Sequence, residues 1–148
     1  MNTQTPLAPA MSPDLFHPDR GDTRRFLPRL FSHDYVRAEH CVYQYASRYL
    51  PDYDGCEWEF IPVKTTGGFM QPGEGRWRFA STDNGADMEL SAEAAGVAIT
   101  ALVLNHLSWM YEHNDEPDLC EHFCLRFRQL TAFAETHPEA AQIFRALN

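Results

Sequence analysis

Apolar residues recur at helical spacing in some stretches of this chain and alternate strictly in others. From Ser91 to His113 the sequence SAEAAGVAITALVLNHLSWMYEH is apolar over most of a helical circumference. Val97, Ala101, Leu104 and Tyr111 follow one side; Ala98, Leu102, Asn105 and Trp109 follow the next. A helix this apolar all round is buried rather than laid on a surface, so the pattern predicts a central helix with the rest of the fold wrapped around it. Ser91 suits the N-cap, and Glu93 sits in the first turn, where the helix dipole favours an acid. Gly96 costs about 1 kcal/mol against alanine inside a helix, which is tolerable where another element approaches closely. The apolar run Val97–Leu104 is too short to span a bilayer, and polar residues bracket it.

Ala38, Val42, Tyr45 and Tyr49 recur at i+3/i+4 spacing and predict a helix from about Asp34 to Leu50, capped by Ser32 and stopped by Pro51. Before it, Arg24–Phe31 is a basic and apolar segment, read as a strap whose Phe26, Leu27, Leu30 and Phe31 dock on the core. Glu57-Trp58-Glu59-Phe60 and Arg76-Trp77-Arg78-Phe79 alternate as half-buried strands do. Gly67-Gly68-Phe69-Met70 forms a third strand between them, and Pro72-Gly73 turns the chain. Asn84-Gly85 is the strongest short hairpin signal. It pairs Arg76–Asp83 with Ala86–Leu90. Trp77, Phe79, Ser81, Met88 and Leu90 then share one face, and Arg78, Ala80, Thr82, Asp87 and Glu89 the other.

After a break at Asn114-Asp115-Glu116-Pro117, Leu119, Cys120, Phe123, Cys124, Phe127, Leu130 and Ala134 define one face of a helix reaching about Glu135. Thr136-x-x-Glu139 reads as a capping box for a last short helix with Ile143, Phe144 and Leu147. The predicted fold is α+β: a single domain over 24–148, with an antiparallel meander of three to four strands packed against a bundle of about four helices. Pro6, Pro9, Pro13 and Pro18 make 1–23 a flexible tail.

The 148 residues suit one domain with a real core. A hydrophobic content of 44% and a charged content of 22% are globular values. The net charge of -9 argues against nonspecific nucleic-acid binding, and leaves open a partner that is itself basic, such as a DNA-binding enzyme. Met1–Met11 is polar and proline-rich with no apolar signal core, so the expectation is a cytoplasmic protein with reduced cysteines. Neither membrane association nor a cofactor is expected, and a monomer is the favoured state.

Candidate chemistry is sparse. Cys120 and Cys124 lie one helical turn apart, but on the apolar face, where a free cysteine acts as a small hydrophobe. Cys41 and Cys56 lack a metal-ligand spacing. His106 and His113 share a helix face, but no GxSxG nucleophile elbow or HExxH motif accompanies them. Asp52, Asp54, Glu57 and Glu59 form a dense acidic group. Paired carboxylates serve glycoside hydrolysis, although Asp52-Tyr53-Asp54-Gly55 lacks the spacing of a calcium loop. The simpler reading is a solvated strand face on which Glu57 and Glu59 oppose Arg76 and Arg78 as cross-strand ion pairs. A second acidic group, Glu112, Asp115, Glu116, Asp118 and Glu121, surrounds Pro117. Both groups are candidate partner-facing patches.

Several stretches, taken together and in order, resemble the ArdB/KlcA antirestriction family over about residues 24–148. Arg25-Phe26-Leu27-Pro28-Arg29-Leu30-Phe31 precedes a helix with Glu39 and Val42-Tyr43. Asp52-Tyr53-x-Gly55-x-x-Trp58-x-Phe60 leads to Gly67-Gly68-Phe69. Glu89-Leu90-Ser91-Ala92-Glu93-Ala94-Ala95-Gly96 and Leu104-Asn105-His106-Leu107 follow, then His137-Pro138-Glu139. Cys56, Thr65-Thr66 and Met70 depart from the family pattern. The resemblance implies a compact α+β protein of plasmids or other mobile elements that protects incoming DNA from type I restriction-modification. It implies a non-enzymatic inhibitor of that machinery, not a DNA mimic, with no catalytic residues to carry over. Acids interleaved with arginines are also too sparse to copy a duplex carrying one charge per about 1.7 Å. A small hydrolase using Asp52–Glu59 and an acidic DNA mimic remain the alternatives.

Overall fold

The computed structural model describes residues 23–148; the expected tail, up to residue 22, lies outside the described residues. In chain order it holds α1 (Thr23–Phe31), a 3-10 turn (Ser32–Asp34), α2 (Tyr35–Tyr49), β1 (Glu59–Ile61), β2 (Phe69–Gln71), β3 (Arg76–Ala80), β4 (Asp87–Ser91), α3 (Ala92–His113), α4 (Pro117–Glu135) and α5 (Ala140–Leu147). This is the α+β domain expected.

α3 is the centre. It is buried without interruption from Ala92 to Leu104, and α2, α4, α5 and β2 pack around it. Ser91 caps it, its Oγ accepting the Ala94 N–H at 3.1 Å. The whole helix, unlike the short run considered above, is long and apolar enough to cross a membrane, but 78% of its apolar window lies inside the fold. Gly96 sits where β2 crosses: a Cβ there would stand 2.5 Å from the Met70 carbonyl oxygen and 2.9 Å from Gln71 Cα. One turn on, the fully buried Thr100 accepts the Met70 N–H at 3.1 Å and faces its carbonyl at 3.4 Å.

That contact explains why the strands do not form one meander. β1 pairs antiparallel with β2, and β3 with β4, as two separate hairpins. The outer edge of β2, where β3 would add, is occupied by the Thr100 hydroxyl. In the first hairpin Phe69 and Ile61 are buried. The turn joining its strands needs Gly68, whose φ is +96° and whose Cβ position lies 2.4 Å from the Ile61 carbonyl oxygen.

In the second hairpin Trp77 faces Leu90, and Phe79 faces Met88. The loop is four residues long, Thr82–Gly85, rather than the two expected: Ser81 N–H donates to Ala86 O at 2.9 Å and Gly85 N–H to Ser81 O at 3.0 Å. Asn84 is drawn outward, donating to the Ala146 carbonyl of α5 at 3.1 Å while its Oδ1 accepts the Ala86 N–H at 2.9 Å. The register slips by two residues, so every side chain keeps its face.

Three local expectations are corrected. The strap is a helix, α1, with Phe26, Leu30 and Phe31 buried; its last carbonyls are met by α4, His122 Nε2 reaching Leu30 O at 3.1 Å and Arg126 Nη2 reaching Arg29 O at 2.9 Å. Ser32 does not cap α2; its φ is +59°, and Asp34 takes the N-cap place with its carboxylate engaged elsewhere, by Tyr111 OH at 2.5 Å and Arg37 Nε at 2.9 Å. Thr136 and Glu139 form no capping box, because Thr136 Oγ1 donates back to Phe133 O at 2.8 Å and the Glu139 carboxylate turns to Ser91.

Candidate functional site

The loop after α2 carries Asp52, Asp54 and Glu57 into solvent, and β1 adds Glu59; all four are exposed. They do not oppose Arg76 and Arg78, since β1 and β3 belong to different hairpins. Arg78 instead forks onto Asp87 at 3.0 and 2.8 Å, and Arg76 lies 3.6 Å from Glu89. The Asp87 carboxyl is held below its usual range by that Arg78 fork. Glu59 faces Gln71 across the first hairpin.

The same segment, with α2, forms a pocket of about 380 Å³ lined by Tyr43, Tyr53, Gly55, Cys56, Trp58 and Phe60. Tyr43 comes from α2, where the i−4 residue Glu39 accepts its hydroxyl at 2.7 Å. Burial and this carboxylate push the Tyr43 phenol well above its ordinary range. The Tyr43 and Trp58 ring centres are 5.7 Å apart, and those of Tyr53 and Trp58 are 6.0 Å apart. Trp58 Nε1–H donates to Tyr53 OH at 3.2 Å, and Gly73 N–H donates to Cys56 Sγ at 3.3 Å, which ties the loop to the turn before β3. The lining carries no carboxylate, so the Asp52–Glu59 group has no enclosed acid–base pair of the kind glycoside hydrolysis needs.

The second acidic group occupies the turn between α3 and α4. Glu112, Asp115, Glu116, Asp118 and Glu121 are all exposed there. Glu116 N–H donates to Tyr111 O at 2.9 Å, and Asp115 has a φ of +60°. Among the described residues no hydrogen bond or ion pair joins the two acidic groups. Nor is there among them any cluster of three or more histidine, cysteine or acidic side chains placed to hold a metal. Cys120 and Cys124 are partly buried on α4. His106 Nδ1 meets Tyr45 OH at 2.9 Å, and His113 is exposed.

Sequence spacing gave no hint that Ser91, Glu93, His137 and Glu139 meet. His137 Nδ1 accepts the Glu139 N–H at 2.9 Å, so Nε2 bears the proton and donates to Glu93 Oε1 at 2.5 Å. The Glu139 carboxylate accepts both the Ser91 N–H, at 3.0 Å, and the Ser91 hydroxyl, at 2.5 Å. His137 does not reach Ser91, and the serine proton is committed to Glu139. The four residues therefore lock the loop before α5 onto the start of α3; they are not a nucleophile and its base.

A family model described as antirestriction protein matches residues 51–148. The YubI protein of Escherichia coli strain K12 is 37% identical over 127 residues, covering 86% of this chain and 90% of YubI. The antirestriction protein KlcA of Escherichia coli is 35% identical over 131 residues, covering 86% of this chain and 88% of KlcA. Among solved structures, one from work on the KlcA and ArdB proteins superposes with a TM-score of 0.79 at 31% identity, over 100% of both chains. Those two proteins show a novel fold and antirestriction activity against type I DNA restriction systems in vivo but not in vitro.

Proposed function

The chain belongs to the ArdB/KlcA antirestriction family, and from that premise we propose that it alleviates type I restriction-modification and so protects incoming mobile DNA. It does so in the cytoplasm, by a non-enzymatic interaction with the restriction machinery. The observation carrying this reading is the end-to-end superposition on proteins active against type I systems in vivo. Because those proteins act in vivo but not in vitro, the activity of this chain is to be sought in cells. DNA mimicry fits less well: Arg37, Arg48, Arg78 and Arg76 pair with Asp34, Asp83, Asp87 and Glu89 and break up the negative surface. The partner-facing surfaces are the two exposed acidic groups, Asp52, Asp54, Glu57 and Glu59, and Glu112, Asp115, Glu116 and Asp118.

The test is phage plating on cells with an active type I system, with and without the protein. Unmodified phage carrying recognition sites should plate better when the protein is present, and site-free phage should not change. Charge-neutralising substitutions in each acidic group then locate the surface. A soluble, folded protein that leaves restriction untouched would refute the proposal.

A further inference from the structure

The aromatic pocket formed by the segment that carries the first acidic group packs against the edge of the core, and its chemistry fits a cation. Three side chains with π faces, Tyr43, Tyr53 and Trp58, line one opening together with Phe60. Ring faces attract cations, Trp and Tyr most strongly, and the attraction grows as water is excluded. Tyr43, Tyr53 and Trp58 are only partly buried, while Phe60 already stacks on Phe26 at 4.9 Å. Among the described residues, the arginine found stacked on a ring is Arg48 over Tyr49 at 5.2 Å, outside this pocket. Exposed acids adjoin the lining in the chain. Asp54 and Glu57 flank the lining residues in sequence, and Glu39 stands behind Tyr43, using only Oε2 to accept its hydroxyl.

We infer that this pocket binds the guanidinium of an arginine side chain presented by a basic segment of a protein partner. A guanidinium is planar and weakly hydrated; it stacks on aromatic rings while its N–H groups fork onto a carboxylate. Tyr43, Tyr53 and Trp58 supply the stacking faces, and the exposed carboxylates of Asp54 and Glu57, next in the chain to the lining residues Gly55 and Cys56, supply the acceptors. The pocket also exceeds the lower bound of about 300 Å³ typical of ligand sites. The inference refines the first acidic surface and rests on the antirestriction reading only for who the partner is.

The experiment is a titration of the full chain, followed by the tryptophan indole N–H signals in NMR spectra. The three probes are acetylated, amidated tripeptides with arginine, lysine or norleucine between glycines. The Trp58 signal is assigned by its loss in Trp58→Phe. The expected result is a saturable shift of the Trp58 indole with the arginine peptide, weaker binding of the lysine peptide and no shift with norleucine. Glu57→Gln removes an exposed charge next to Cys56 and Trp58 without altering a lining residue, and should weaken arginine binding about threefold to fivefold. The inference is overturned if the Trp58 signal never saturates, if norleucine shifts it equally, or if lysine binds as well as arginine. A peptide-binding chain that fails the plating assay refutes antirestriction and leaves the pocket standing; a plating-active chain that ignores the peptide refutes the pocket alone.

Discussion

Replacing Gly96 with alanine sets two physical effects against each other inside one buried helix. Helix propensity favours the substitution by about 1 kcal/mol. Packing opposes it. The new methyl would lie 2.5 Å from Met70 O and 2.9 Å from Gln71 Cα, where ordinary contact begins at 3.4 Å. Both neighbours are backbone atoms, so neither can rotate away. β2 is also poorly free to retreat. Phe69 is fully buried with its ring 6.0 Å from that of Phe133, Met70 N–H is held by Thr100, and the strand is paired with β1. Overpacking of a tight core costs about 1–3 kcal/mol, and stretching the Thr100 bond adds about 1 kcal/mol. The expected net is a destabilisation of about 2 kcal/mol, or a melting temperature lower by about 8 °C for a domain of this size. Urea unfolding followed by circular dichroism should show a lower midpoint with an unchanged slope. A variant as stable as the parent, or more stable, would mean that propensity governs this position and that β2 does not pin α3.

Thr100→Val keeps the shape but strips the partner from two buried backbone groups of Met70. We expect a loss of about 2 kcal/mol by urea unfolding, and a neutral result would refute the account of the separated hairpins. His137→Ala leaves the Glu93 carboxylate buried without its donor and should cost about 3–5 kcal/mol. Glu93→Gln, which still offers His137 an acceptor, should cost clearly less in the same measurement. Tyr111→Phe removes the hydroxyl that α3 gives to Asp34 and should cost about 1–2 kcal/mol, read by thermal melting. Burial, helped by the Arg126 charge, holds His122 below its ordinary value of 6.5. The unfolded chain then takes up a proton before the folded one does, so stability present above pH 6.5 is lost as pH falls below it. His122→Gln should flatten that loss in urea midpoints compared at about pH 7.5 and 5.5.

What was legible in the sequence was local. Ser91 as the cap of α3 and the ends of α3 and α4 follow from side chains within a turn of the feature they set. The faces of the β3–β4 hairpin were legible too, because alternation survives a slip of two. The loop itself was not, since its shape depends on Asn84 reaching a helix end 62 residues away. The split of the strands into two hairpins was equally hidden: a single hydroxyl on α3 competes for the edge of β2, and nothing in the strand sequences records it. The acids were visible as a group, but the pocket formed by the same segment was not. One of its walls, Tyr43, comes from α2, and its place is fixed by packing rather than spacing.

The stretches by which the chain resembles its family divide along a physical line. Ser91 and Glu93 from one stretch and His137 and Glu139 from another are interlocked at the head of α3, and Gly96 of the first stretch packs against β2. Gly68 and Phe26, from two more, pack directly on each other. These positions hold the scaffold, and their chemistry is spent inside it: the serine proton, both His137 ring nitrogens, both Glu139 carboxylate oxygens and Glu93 Oε1 have partners. The stretch Asp52-Tyr53-x-Gly55-x-x-Trp58-x-Phe60 differs. Its aromatic rings line an open pocket and its acids face water, while Cys56 ties it to the turn before β3 and Phe60 to β2 and Phe26. A buried polar group left free would cost stability, whereas a partly exposed aromatic one costs little and is available to a partner. If one stretch of the family pattern meets the restriction machinery, this physical difference singles out the segment from Asp52 to Phe60.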